Sequence, residues 1–469
     1  MSLPRSESGW RLAAATIALA MATLLIGACG GSGRSAAPNV AAATTREATD
    51  SAGTPGATVR IGWSAPKMLP VTPVTGTYTI ADPAFDPLPG ARAIFGTNQG
   101  AAYEIEVPDN WNGDVVYYAH GFRGPVPALS VDPPPLREYL IKHGYAWAAS
   151  SFSENGYAPG IGAADTLALR GLFAEKVGAP RHQYLYGASM GGNVATVSLE
   201  RYPQAYDGAF TECGALTGQG IVDYILSWGV LGGYFSGTDL TGAGADARAL
   251  ARALRNDVAP SLGTPDNPTK KGKAFASAIE RLTGGPRAFF LEGFRMQYQL
   301  NFLLLLTAVA APGPSNAVAQ NADTLYAIDD GFGVTADQLN REVARIRANP
   351  QYQDQSQYPE FGAPSGKIER PLLTLHGTGD LFVPISIEQQ YRRAVDAAGA
   401  GDLLVQRAIR RPGHCAITAA ERERGFADLV DWVEKGKKPA GDDLLGDLRN
   451  VGRAFTDPIS PDDPGGETP

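Results

Sequence analysis

The sequence predicts an α/β fold: a mostly parallel central sheet with helices on both faces and a large helical insertion. Three observations predict it. Short apolar runs alternate with segments of helical apolar spacing in two stretches, residues 61–216 and 370–440, which is the form of a parallel sheet covered on both faces. That rhythm stops over 217–369, where helical spacing takes over. A glycine-flanked serine, Ser189, stands between a strand signal and a helix signal.

The elements follow in order. Residues 91–95 and 101–107 are alternating runs separated by Gly96-Thr97-Asn98-Gln99-Gly100, a hairpin signal. Residues 114–119 and 145–150 read as buried strands, with a crossover helix over 136–143 between them. Leu167, Leu169, Leu172, Phe173 and Val177 give 165–177 a helical face, and it leads into a strand at 183–186. A helix at 192–201 and a strand at 206–211 come next. After the insertion come strands at 371–375 and 403–409 and helices at 387–398 and 416–434. The insertion itself carries helical spacing over 246–258, 273–282, 289–309 and 335–347, and reads as a cap over the sheet.

The chain has 469 residues, more than one small core needs, and its hydrophobic fraction of 44% excludes wholesale disorder. The net charge of −8 comes with no basic block, which excludes nucleic acid as the main partner. Residues 1–28 form a leader: Arg5 and Arg11, an apolar run from Leu12 to Ile26, then Gly27-Ala28-Cys29. The run is shorter than the roughly 20 residues a membrane span needs and fits a secretory signal peptide. Ile26-Gly27-Ala28-Cys29 is similar to the bacterial lipobox, which makes Cys29 the lipidation position and the product an exported cell-surface lipoprotein. Ordinary cleavage near Ala36-Ala37, giving a periplasmic or secreted protein, and an uncleaved anchor are the alternatives. On this reading the chain meets a membrane only through that anchor. Residues 29–60 are small and polar, a flexible tether, and 441–469 read as a C-terminal tail.

Gly187-Ala188-Ser189-Met190-Gly191 follows a strand and opens a helix, the setting of a nucleophile elbow with small residues at the two glycine positions. A serine nucleophile needs a base, and five histidines are available. His120, His143 and His182 precede Ser189. His376 ends a strand ahead of any plausible orienting acid and reads as a hydrogen-bonded turn residue. His414 lies beyond the last strand in Arg411-Pro412-Gly413-His414-Cys415 and is the expected base. Asp380, in the loop after the strand at 371–375, is the expected orienting acid, with Glu212 as competitor. An oxyanion needs two N–H donors. Met190 supplies one; Phe122 is the expected second, in His120-Gly121-Phe122, where Gly121 lets the backbone come close and His120 shapes the loop.

The order Ser189, Asp380, His414 with a His-Gly-Phe loop upstream resembles the α/β-hydrolase fold, over most of 90–216 and 370–435. The loop departs from the His-Gly-Gly-Gly form of many lipases. Tannases and feruloyl esterases carry a cysteine before the nucleophile bonded to one beside the histidine; here Cys415 follows His414 but Ala188 precedes Ser189. Cys213 is the remaining partner for Cys415. Both fall on loops at the carboxyl edge of the sheet in an exported chain, so a Cys213–Cys415 disulfide is expected.

Serine with histidine and aspartate implies acyl transfer through an acyl-enzyme, on a small-molecule ester or amide. No His-Glu-x-x-His and no dinucleotide fingerprint occurs, so no metal or cofactor is expected. Phe289, Phe290, Phe294, Tyr298, Phe302 and Leu303 to Leu306 read mainly as core of the cap, with a minority lining an apolar or aromatic acyl pocket. Extracellular amidases on aromatic acyl groups, such as phthalyl amidase, are similar in kind. The rival from another class is a non-catalytic ligand-binding lipoprotein, whose mark would be a missing triad member.

Overall fold

The computed structural model describes residues 78–124, 126–240, 247–310, 318–353 and 361–458. The leader, the tether, Cys29 and the end of the expected tail lie outside the described residues.

Eight strands form one sheet: β1 Ala91–Asn98, β2 Ala101–Pro108, β3 Val115–Ala119, β4 Ala146–Ser150, β5 Gln183–Ala188, β6 Gly208–Glu212, β7 Leu372–Gly379 and β8 Leu404–Pro412. Their order across the sheet is β8-β7-β6-β5-β3-β4-β2-β1. β2 is antiparallel to β1 and β4, and the pairings from β4 through to β8 are parallel. The inner strands are apolar on successive residues because both faces are covered. Along β3, Val115 and Tyr117 enter one hydrophobic cluster while Val116 and Tyr118 enter the other.

The second cluster is closed by α1 (Arg137–Lys142), through Leu140 and Ile141, and by α10 (Ala419–Lys435), through Phe426, Leu429 and Val430. α2 (Pro159–Lys176), α3 (Met190–Arg201) and α9 (Ser386–Ala397) contribute Leu169, Phe173, Leu199, Ile387 and Tyr391 to the first. That cluster continues into the segment between β6 and β7, which holds α4 (Gly218–Ser236), α5 (Ala247–Ala253), α6 (Lys270–Leu282), α7 (Phe290–Ala310) and α8 (Ala336–Glu342).

Three features depart from the sequence reading. α4 was not expected, since its glycines lower helix propensity. They serve close packing: a Cβ at Gly229 would stand 2.6 Å from Leu305 Cδ2. The helix expected to run to 347 stops at Glu342, because the buried Arg345 turns back to bind the Asn340 carbonyl (3.0 Å) and the Asn321 carbonyl (2.8 Å). Residues 441–458, expected as tail, lie instead along β8. Ala408 N–H donates to Asp442 (2.8 Å) and Arg410 N–H to Thr456 (2.8 Å), while Leu444, Leu448 and Val451 are buried against Ile385 and Ala408. A parallel sheet's outer strand needs such a cover for its unpaired backbone groups.

Candidate active site

The sheet brings three loop residues together at the carboxyl ends of β5, β7 and β8. Ser189 is the single residue between β5 and α3, at φ 57° and ψ −120°, a conformation that costs energy for any side chain. Its neighbours hold it there: Ser189 N–H donates to Glu212 O (3.1 Å) and Ala215 N–H donates to Ser189 O (2.9 Å). The glycine requirement of the turn is steric. A Cβ at Gly187 would stand 2.1 Å from Gly191 O, and one at Gly191 would stand 1.9 Å from Ala119 O.

Ser189 Oγ is 2.8 Å from His414 Nε2, and His414 Nδ1 is 2.7 Å from Asp380 Oδ2. Asp380 is fully buried, and its Oδ1 accepts from the N–H groups of Phe382 (2.9 Å) and Val383 (3.1 Å). With a carboxylate on Nδ1, the ring carries its proton there and offers the Nε2 lone pair to the serine hydroxyl. Strand order, elbow and the sequence Ser-Asp-His agree. The fold is that of an α/β-hydrolase.

No family model matches the chain. It is 22% identical over 422 residues to the o-phthalyl amidase of Xanthobacter agilis, spanning 75% of this chain and 90% of that protein. Among solved structures, an esterase from Aspergillus oryzae aligns at 15% identity and a TM-score of 0.42, covering 77% of this chain and 83% of that one. Feruloyl esterase B from Aspergillus oryzae aligns at 14% identity and a TM-score of 0.43, covering 74% and 82%.

The loop after β3 lies beside the hydrolase elbow. A Cβ at Gly121 would be 3.1 Å from Ser189 Cβ, so glycine is what leaves room over the serine. His120 stands behind the loop, stacked on Phe152 with ring centroids 4.1 Å apart. Its Nδ1 is 2.7 Å from Gly121 O, which orients the peptide whose other end is Phe122 N–H. Burial, then the charge of Arg123, push the His120 pKa down to about 4, so the ring is uncharged at neutral pH and shapes the loop through its one N–H. Met190 opens α3, where the first N–H groups have no partner within the helix.

The other expected residues have separate places. Glu212, the competing acid, accepts from Tyr186 OH (2.7 Å) and Arg422 Nε (2.5 Å) and is not at the histidine. His143 is bonded to the Tyr139 carbonyl at the end of α1, and His182 precedes β5, at the opposite sheet edge from Ser189. His376, expected as a turn residue at a strand end, is instead buried within β7, which continues to Gly379 through its pairing with β8.

Cys213 and Cys415 form a disulfide across 202 residues of sequence. It joins the segment that cradles Ser189 to the residue beside His414, and both sulfurs lie within 4.8 Å of a His414 ring nitrogen. On denatured, unreduced protein, iodoacetamide is expected to leave Cys213 and Cys415 unmodified, and to alkylate both after reduction. Alkylation of either before reduction contradicts the bond; peptide mass spectrometry reads it.

What the sequence reading missed is the grip of the insertion on the acid turn. Gln297 on α7 donates to Gly379 O (3.2 Å) and accepts from Leu381 N–H (2.9 Å), pairing with both neighbours of Asp380. Leu381 O accepts from Tyr224 OH (2.6 Å) and Asn301 Nδ2 (2.8 Å), and Thr378 O from Arg287 Nε (2.6 Å). The expected aromatic stripe is mostly core: Phe290, Phe294, Tyr298 and Phe302 are buried, with Trp228 against Phe294, Tyr298 and Phe302. The apolar groups near His414 are others. Phe382 lies with its ring centroid 4.6 Å from that of His414, and the exposed Met296 reaches the Gly413 backbone.

Proposed function

We propose that this α/β-hydrolase is a serine hydrolase that cleaves a carboxylic ester or amide of an apolar or aromatic acyl group. The observation that carries the reading is the unbroken line from Ser189 Oγ through His414 to Asp380, at 2.8 and 2.7 Å. Ser189 attacks the carbonyl as His414 takes its proton, and Asp380 holds the ring and stabilises the imidazolium. Met190 and Phe122 N–H receive the oxyanion. The alcohol or amine leaves with the proton from His414, and water, deprotonated by the same ring, releases the acid.

Phe382 beside His414 and Met296 over the adjoining Gly413 support an apolar acyl or aryl group. The 22% likeness to an o-phthalyl amidase favours an aryl-acyl amide as one form of substrate, and the same triad serves an ester. The leader motif around Cys29 supports an exported lipoprotein.

A fluorophosphonate probe is expected to label wild-type protein covalently and to leave Ser189→Ala unlabelled. Loss of the nucleophile lowers kcat by on the order of 10⁶-fold. Equal labelling of both proteins, or of neither, rejects the reading. A panel of aryl esters against phthalyl and other aryl amides, read as kcat/KM, then divides esterase from amidase.

A further inference from the structure

We infer that His376 and Glu388 form a buried, charged pair that positions the turn carrying Asp380, so that a second histidine sets the acid from within the sheet. The inference rests on the triad reading above and assigns His376 a positioning role.

His376 lies in β7 opposite Ala408 of β8, and both His376 and Glu388 are fully buried. Its Nε2 is 2.8 Å from Val383 O. The N–H of the same Val383 donates to Asp380 Oδ1 (3.1 Å). One residue is thus held from both sides, by the carboxylate it helps to orient and by the histidine. His376 Nδ1 is 3.3 Å from Glu388 Oε1. Glu388 stands in the first turn of α9, where the helix favours negative charge, and its Oε2 accepts from Thr374 Oγ1 (2.8 Å) and Gln406 Nε2.

Both ring nitrogens of His376 therefore face acceptors, a carbonyl and a carboxylate. A neutral imidazole has one N–H and one lone pair, and would turn that lone pair on a carboxylate. The doubly protonated ring donates to the carbonyl and meets the carboxylate as an ion pair, in a geometry short of a hydrogen bond. Burial opposes this charge, and Glu388, with Asp380, outweighs it, so the His376 pKa is raised above its ordinary value. Other groups surround the pair. Arg287 reaches Thr378 O from the insertion, its own pKa lowered by burial to about 10. Tyr224 of α4 and Tyr391 of α9 are pushed well above the usual phenol range, by burial first. β8 contributes the neutral Gln406 and Ala408, and His414 stands beyond Asp380. Glu212 and Arg422 are on the other face, with Leu375 and α10. The cation of His376 thus separates two buried carboxylates, Glu388 and Asp380. Without it, their repulsion falls on the turn that aims Asp380 at His414.

Three variants test this. His376→Leu removes the donor to Val383 O, and kcat is expected to fall by on the order of 10²-fold with KM within about 2-fold of wild type. His376→Gln keeps an N–H donor at that place but leaves Glu388 buried without its cation. That carboxylate stays buried only while protonated, so the kcat ratio of variant to wild type is highest at acid pH and falls by about 10-fold or more as pH rises. The double variant His376→Gln, Glu388→Gln has a ratio independent of pH. If His376→Leu fails to fold, the other two carry the comparison. The far-downfield proton resonance of the His414–Asp380 hydrogen bond reads the same geometry without turnover, and is expected to shift in His376→Leu and to persist in Ser189→Ala. A wild-type protein that is neither labelled nor active overturns the triad reading, while this resonance still decides the positioning role. Unchanged kcat and resonance in His376→Leu, or a flat ratio in His376→Gln, overturn the inference.

Discussion

Asp380→Asn is expected to lower kcat by on the order of 10⁴-fold while leaving the fold and fluorophosphonate-accessible site in place. The reason is the hydrogen-bond arithmetic around one carboxylate. Oδ1 faces two donors, the N–H groups of Phe382 and Val383, and Oδ2 faces His414 Nδ1. An asparagine must put its oxygen toward the two backbone donors, because its NH₂ there would meet two N–H groups. Its NH₂ then points at His414 Nδ1, which can answer only as an acceptor. The ring moves its proton to Nε2 and presents N–H, not a lone pair, to Ser189. Steady-state kinetics on an aryl ester measures the loss, and a thermal melt close to wild type shows that it is not unfolding. A variant within about 10-fold of wild type would exclude Asp380 from the role given to it here, since the general-base contribution alone exceeds that.

Gly191→Ala is expected to be severely damaging for a change of one methyl group. Its Cβ would lie 1.9 Å from Ala119 O, 2.7 Å from Ala119 C and 3.0 Å from His120 O. All three are backbone atoms at the end of β3, a central strand paired on both edges, so no side chain can yield. Either α3 or the strand end must shift, and the loop holding Gly121 and Phe122 moves with it. A cost of about 3 kcal/mol or more follows, and a fall in Tm of roughly 4 °C or more for a folded part of this size, with loss of probe labelling at temperatures where the variant is folded. Gly171→Ala is the control. It lies in α2 with nothing within 4 Å of the added methyl, and should be neutral or stabilising by about 0.5–1 kcal/mol. Equal melts for the two variants would reject the steric account of the elbow.

Much of the candidate site was legible because each of its residues directly follows a strand and sits beside the glycine or proline that shapes its loop. Ser189 between Gly187 and Gly191, Asp380 after His376-Gly377-Thr378-Gly379, and His414 after Pro412-Gly413 are local patterns. Glu212 remained a competitor to Asp380, because a carboxylate at a strand end looks the same in sequence whichever way it points. Its pairing with Arg422 on α10 removed the ambiguity. The grip of Gln297, Asn301, Tyr224 and Arg287 on the acid turn left no sequence signal. Gln297, Asn301 and Tyr224 are ordinary residues on helices and Arg287 lies in the loop before α7, and only the docking of α4 and α7 against β7 turns them toward one loop.

The same division runs through the whole chain. The sequence by itself determined the alternation of strand and helix, the tight turn at Ser189 and the order Ser189, Asp380, His414 along the chain. Periodicity and the steric demands of a turn act over a few residues, so they are written where they act. The tertiary structure alone decided that residues 441–458 cover β8, that the aromatic stripe of α7 is core while Phe382 stands by His414 and Met296 by Gly413, and that Glu388 meets His376. Those outcomes depend on which faces are left to bury once the sheet has formed. Burial is a property of the assembled surface, shared among residues far apart in sequence.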